Sequence, residues 1–335
     1  MKPSLSFKLA ALKVAITVLA CGQGSAIAAD LGATRALPPD WYPESLDVGP
    51  DGSLYVGSWR QGAVARLRPG AEQPEILVAP GSNGLANGQG VLVDAKRQLL
   101  WVCSGKMGFT TVPMTPSALK SYDLASGAPR ANYPLPGHGY CNDLAQDSRG
   151  TLYVTDSLNP RVLRLRPGDT ALQVWKQDPA FAAGKEGYDL NGIALDGDGT
   201  LYVSEVTAAP YLWRIDVQAD GDAGAPGKVT MPRVLKNADA IRRAGPQQLV
   251  IFESNAFGND GPYGGQISLA RLQNDHAASL QTIVRGLNDP SSGVIVGHRV
   301  YFIESKYGLL LSHKDNDTQV PRGVPFDVQS VALPR

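Results

Sequence analysis

The sequence has no excess of either charge: 31 Lys and Arg stand against 31 Asp and Glu in 335 residues. With no basic cluster, nucleic-acid binding has no electrostatic footprint. Cysteine is scarce, with three residues and no Cys-x-x-Cys or Cys/His spacing of the kind that makes a zinc site. The apolar run from Val14 to Cys21 is too short to cross a bilayer, so no membrane span is expected. A Gly-x-Ser-x-Gly elbow and a phosphate-cradling glycine loop are both missing, which removes the common motifs of serine hydrolases and nucleotide-binding enzymes.

Punctuation is abundant instead. The chain carries 37 Gly and 25 Pro, so it turns often and favours many short strands over long helices. Lys2, Lys8 and Lys13 precede or begin the apolar run, and the small-residue site Ala26-Ile27-Ala28 follows it. This is the pattern of a secretory signal over residues 1–28, giving a periplasmic or secreted, mildly acidic mature protein. Val18-Leu19-Ala20-Cys21 loosely resembles a lipobox, so lipid anchoring at Cys21 is the alternative. Maturation leaves Cys103 and Cys141, which either form a disulfide in an oxidising compartment or stay as two buried thiols.

The organising feature is an internal repeat. Glu44–Ser58 reads as strand, tight turn, strand, around Pro50-Asp51-Gly52 and Leu54-Tyr55-Val56. It returns as Asn142–Asp156 with Leu152-Tyr153-Val154, and as Asn191–Glu205 with Leu201-Tyr202-Val203. Weaker copies begin near Gln89, Asp239 and Ser292. The copies end at residues 58, 104, 156, 205, 253 and 304, a period near fifty. Further strands follow each pair, such as Ala63–Leu67 and Arg161–Leu165. Four strands per repeat and six repeats predict an all-β, six-bladed β-propeller forming one domain over 36–335. A closed ring also hides every sheet edge, which an open solenoid cannot do.

In a propeller the first strand of each blade lines the central channel. The first residues of the copies then form one ring: Glu44, Gln89, Asn142, Asn191, Asp239 and Ser292. Each brings a side-chain oxygen. Turn preference accounts for Asn and Asp here but poorly for Glu44 and Gln89. Two carboxylates among several amides suit a hard divalent cation, Ca²⁺ first, with Mg²⁺, Mn²⁺ or Zn²⁺ as alternatives. The absence of His and Cys from the ring argues against a dedicated zinc cage. Solvation by water alone is the other reading.

The last residues, Ser58, Ser104, Asp156, Glu205, Glu253 and Glu304, form a second column on the same face, either as support for a cation site or as ordinary surface groups. Asp196-Gly197-Asp198-Gly199 imitates the start of an EF-hand, but Thr207 stands where that loop needs Glu, so it reads as a hairpin turn. His138, four residues before Asn142, is either a proton shuttle at the channel mouth or a surface histidine. The irregular stretches 105–120 and 254–266 both follow a second strand and should rise over the same face. Met107, Phe109, Phe257 and Tyr263 would supply a lid there.

Pro43-Glu44, Asn142-Asp143, Asn191-Gly192 and Asp239, in this order and spacing, resemble the senescence-marker-protein/gluconolactonase (SMP-30/gluconolactonase/LRE-like) family, and more distantly the paraoxonases and diisopropyl-fluorophosphatase. The resemblance implies a divalent metal held by Glu44, Asn191 and Asp239. It also implies that Asn142 touches metal or substrate and that Asp239 acts as general base. The implied activity is hydrolysis of a small-molecule lactone or ester. Tyr140-Cys141 stand where the sugar lactonases carry an arginine, and Ala240 follows Asp239 in place of the usual Gly. Two other functions remain open: a non-enzymatic scaffold binding a ligand or protein on its loop face, and a phosphotriesterase-like hydrolase. The sequence leaves the oligomeric state undetermined.

Overall fold

A computed structural model describes residues 33–334, apart from 183–187, 257, 259, 274, 314–316 and the side chain of 278. The expected signal at 1–28, Cys21 and the lid residue Phe257 lie outside the described residues. Among those described, no helix is long and apolar enough to cross a membrane.

The fold is all-β and of the propeller type. Four-stranded antiparallel meanders follow one another along the chain, and the expected strands Ala63–Leu67 and Arg161–Leu165 are the third strands of theirs. The strands between 190 and 287 are joined into one eight-stranded sheet. It consists of two meanders whose outer strands meet through a single parallel pair, Thr230 with His276. The sheet holding the C-terminal strand Asp327–Ala332 takes its outermost strand, Arg35–Ala36, from the start of the described chain.

The innermost strands are Pro43–Val48, Asn87–Asp94, Cys141–Gln146, Leu190–Asp196, Ala238–Gly245 and Gly293–Val296. Each lies beside the next, and Gly293–Val296 lies beside Pro43–Val48, so the circuit closes. The hairpins between first and second strands turn on Gly52 and Gly150, at φ of 78° and 89°, a conformation that glycine adopts without steric cost. Asp147 shapes its turn by accepting the Arg149 and Thr151 amides at 3.0 and 2.7 Å. Asp196–Gly199 is likewise a hairpin turn, with Asp196 paired to Thr200.

Apolar side chains fill the spaces between neighbouring sheets rather than the axis. Val154, Leu163 and Trp101 meet in one such layer, and Tyr153, Trp175, Val203 and Trp213 in the next. Sheet-on-sheet burial of this kind supplies the hydrophobic driving force while leaving the centre of the ring to polar side chains. Cys103 and Cys141 form a fully buried disulfide between adjacent meanders.

Candidate functional site

The side chains at the axis are aimed there by breaks in strand pairing. Regular antiparallel register is interrupted between Pro43 and Leu46, Gly88 and Val91, Cys141 and Leu144, Leu190 and Ile193, and Ala238 and Ile241. An extra residue in a strand lets two successive side chains escape strict alternation. Glu44, Gln89, Asn142, Asn191 and Asp239 and their following residues all sit in these breaks. Gly192 adds to the geometry: a Cβ there would lie 2.3 Å from the Asp239 carbonyl oxygen. Only glycine lets the two inner strands come this close, setting Asn191 against Asp239.

These five side chains line one pocket on the axis. Asn191 Nδ2 donates to Asp239 Oδ1 at 2.9 Å. With its amide oriented as its neighbours require, Gln89 donates to Glu44 Oε1 at 3.1 Å and accepts from Tyr140 Oη and Trp59 Nε1 at 2.9 and 2.7 Å. Asn142 Nδ2 donates to Ser157 Oγ at 2.9 Å. Its Oδ1 is buried with no hydrogen-bond partner. A buried amide oxygen left unpaired is costly unless something outside the chain completes it.

The two carboxyls share the same problem. Burial raises Glu44 well above the ordinary range, and Asp239 and Asp143 push it further. Burial likewise lifts Asp239 to about 7, despite hydrogen bonds from Ser254 and Asn191. The nearest cation, Arg242, sits one layer below. It grips Asp143 through two contacts, Nη1 to Oδ2 at 2.7 Å and Nη2 to Oδ1 at 3.2 Å, and reaches Ser292 Oγ at 3.1 Å. With Arg242 engaged by Asp143, Glu44 and Asp239 have no positive side chain of their own among the described residues. An orphaned amide oxygen and two buried, mutually repelling carboxyls are the donor set of a hard cation. The residues present therefore fit one, with Glu44, Asn142, Asn191 and Asp239 as its holders. Among the described residues no three His, Cys, Asp or Glu side chains converge as a metal cluster. A site here would therefore rest on amide oxygens as much as on carboxylates.

Ser292 is not the sixth member of the ring. Ser305 N bonds Asp289 O at 2.8 Å, as Ser157 N bonds Tyr140 O and Ser254 N bonds Asn237 O in their sheets. That register makes Ser291 the counterpart of Asn142, one residue earlier than the sequence alignment suggests. Ser291 Oγ donates to Glu44 O at 2.8 Å, while Ser292 joins Ser45 and Arg242 in the layer below.

The second column is neither cation support nor plain surface. Three of its acceptors hold the backbone leading into the inner strands: Ser104 takes the Ala86 amide, Asp156 the Tyr140 amide, and Glu253 the Lys236 amide, whereas Glu205 accepts from Tyr211 Oη and Trp213 Nε1. Asp156 and Glu253 are also salt-bridged to Arg161 and Arg233. These charges are consumed by loop anchoring. His138 is exposed and does not line the pocket.

The upper walls are aromatic and aliphatic, and the sequence reading missed most of them. Trp59, Tyr140, Tyr188 and Tyr307 stand around the ring, with Val206 and Leu311 completing the wall. Trp59 packs on Tyr307 and Phe109 at centroid distances of 5.3 and 5.7 Å. Of the expected lid, Met107 lines the pocket and Phe109 braces Trp59 from behind. Tyr263 does not line the pocket and is 66% exposed. The segment 105–120 is tied down over the ring by Asn87, which accepts from Met107 N and donates to Gly108 O.

Fold and site together define a propeller with a cation-compatible polar ring under an apolar vestibule. No family profile and no curated protein sequence matches the chain. Solved structures do. A gluconolactonase from Xanthomonas campestris matches with a TM-score of 0.57 at 17% identity, over 90% of this chain and 87% of its own. A luciferin-regenerating enzyme matches at 0.60 and 13%, over 90% and 95%. Regucalcin from Agrobacterium tumefaciens, described as a calcium-binding protein, matches at 0.59 and 12%, over 90% and 95%. All three are members of the SMP-30/gluconolactonase/LRE-like family that the motifs resemble. A virginiamycin B lyase from Staphylococcus aureus matches over a similar extent, so the likeness is one of fold.

Proposed function

We propose that the protein is an exported, cation-dependent hydrolase of a small lactone or ester, built as a six-bladed ring in one domain over 36–335. The six count takes the eight-stranded sheet as two blades. The observation that carries the reading is the convergence of Glu44, Asn142, Asn191 and Asp239 in one pocket with no positive side chain among the described residues that line it. Bound there, a divalent cation, Ca²⁺ by the oxygen-only donor set, would polarise a carbonyl and acidify water.

The chain's own residues supply the rest. Asp239, held by Asn191 and Ser254, accepts the proton of the water that adds to the carbonyl carbon. As the acyl C–O bond breaks, that proton passes to the departing oxygen, leaving a hydroxy acid from a lactone, or an acid and an alcohol from an ester. Gln89 fixes Glu44 through its own bonds to Tyr140 and Trp59. The aromatic wall excludes bulk water from the reacting carbonyl and strengthens every charge interaction beneath it. The buried disulfide suits the oxidising compartment that the leader sequence implies.

The test is hydrolysis of a panel of lactones, aryl esters and organophosphates by the chelated protein with and without added Ca²⁺. Ca²⁺-dependent turnover of lactones or esters, abolished in Asp239→Ala, supports the reading. Turnover of organophosphates alone would move the activity to a phosphoryl centre. Turnover of nothing would leave a binding scaffold.

A further inference from the structure

We infer that the pocket selects a substrate whose body is a flat apolar or aromatic ring, and rejects polyhydroxylated sugar lactones. This assignment rests on the hydrolase reading only for the word substrate; the binding preference follows from the walls themselves.

A sugar lactone carries several hydroxyls besides the carbonyl, and each needs a partner once water is excluded. The vestibule offers few. Tyr140 Oη is engaged with Gln89, and the Tyr307 hydroxyl is hydrogen-bonded with Ser291 and Ser305. Trp59 Nε1 is taken by Gln89, and Asn237 Nδ2 by the Val206 carbonyl at 2.7 Å. Ser254 sits on Asp239. Among the described residues the remaining wall hydroxyl is that of Tyr188, which is half-buried. Among the described residues no Arg, Lys or His lines the pocket, and its charged members are Glu44 and Asp239 at the floor. Each hydroxyl buried here without a partner should weaken binding roughly tenfold or more.

The same walls suit a ring face. Trp59 and Tyr307 meet edge to face, their planes 78° apart, as do Tyr140 and Tyr188 at 5.0 Å and 77°. These two aromatic pairs bound the space above the polar floor, with Val206, Leu311, Ala256 and Met107 between them. Contacts of a π-face or an alkyl ring with such a wall need no hydrogen-bond partners. The carbonyl would point down to the polar ring and the apolar body would fill the vestibule.

The experiment separates recognition from turnover. Binding of a non-hydrolysable pair, 2-tetralone and D-glucono-δ-lactam, is measured by calorimetry on the Ca²⁺-loaded full chain. Hydrolysis of the corresponding lactones, dihydrocoumarin and D-glucono-δ-lactone, is measured in parallel. Leu311→Asn and Val206→Asn are tested alongside, with Ca²⁺ affinity and melting temperature as controls for folding. The inference expects 2-tetralone to bind at least about 100-fold tighter than the lactam, which accumulates from several unpaired hydroxyls. It also expects at least one of the two variants to lose roughly tenfold of that affinity at unchanged Ca²⁺ affinity. Tight tetralone binding without hydrolysis of either lactone would overturn the hydrolase reading and leave the pocket assignment standing. Equal or tighter binding of the lactam, binding of neither probe, or unchanged affinity in both folded variants would overturn the assignment itself.

Discussion

Asp239→Asn should stabilise the cation-free protein, and by an amount that depends on pH. The wild-type carboxyl is lifted from 3.8 to about 7 by burial and by the negative charge of Asp143 and Asp289. A carboxyl with a raised folded pKa binds its proton more tightly in the native state than in the unfolded chain. Its favourable contribution is therefore complete below about pH 4 and is lost as pH rises through 7. Three pKa units correspond to about 4 kcal/mol, an upper figure because the chain can relax around the charge. Asparagine keeps the shape and an oxygen for the Asn191 amide to meet at 2.9 Å, and carries no charge. In chelator, urea unfolding at pH 8 should show the variant roughly 2–4 kcal/mol more stable than wild type, and at pH 4 about equal. Saturating Ca²⁺ should narrow or reverse the difference, because only the carboxylate binds the cation well. A variant destabilised by the same amount at both pH values would refute the claim that Asp239 is an uncompensated buried acid.

Other expectations follow from the same structure. Ca²⁺ affinity should rise with pH up to about 7, by as much as roughly tenfold per pH unit, because the ion must displace the proton held by Asp239; calorimetry at pH 5, 6 and 7 measures this, and a flat profile opposes it. Arg242→Leu should lower stability by about 3–5 kcal/mol, since Asp143 would be left charged in a nearly closed channel, and Asp143→Leu/Arg242→Leu should recover most of the loss. A single variant as stable as wild type in urea would contradict that pairing. Cys103→Ser/Cys141→Ser should cost about 4 kcal/mol, the entropy of opening a closed loop with a sequence separation of 38, and dithiothreitol should lower the wild-type melting temperature correspondingly.

Much of this was legible from residues alone, for a physical reason. Leu54-Tyr55-Val56, Leu152-Tyr153-Val154 and Leu201-Tyr202-Val203 repeat because each second strand is buried between neighbouring sheets, so its pattern survives in every copy. The ring residues were legible because the fold returns the same backbone position to the axis each time. Ser292 was misplaced because the last hairpin, which closes between Val296 and Arg299, is shorter than its counterparts, and the sequence does not mark how many residues it has lost. The wall was missed because Trp59, Tyr140, Val206 and Ser254 flank the repeated segment rather than belong to it. A signal was present: the residue after three of the copies and the residue two before two of the inner positions lie at the pocket, giving Trp59, Val206 and Ser254 in one column and Tyr140 and Asn237 in the other. Tyr188, Tyr307 and Leu311 come from connecting segments outside any repeat, and only the folded chain brings them to the vestibule. Tyr263 carried the opposite error, an aromatic in the right loop that faces water.

The most direct measurement is a calorimetric titration of the chelated protein with Ca²⁺ at pH 7.5. One ion per chain is predicted, with the heat signal abolished by Asp239→Ala and weakened at least about tenfold by Asn142→Leu, which removes the buried oxygen that has no hydrogen-bond partner. Failure of the wild-type chain to take up Ca²⁺, Mg²⁺, Mn²⁺ or Zn²⁺, or uptake that persists unchanged in Asp239→Ala, would contradict the account.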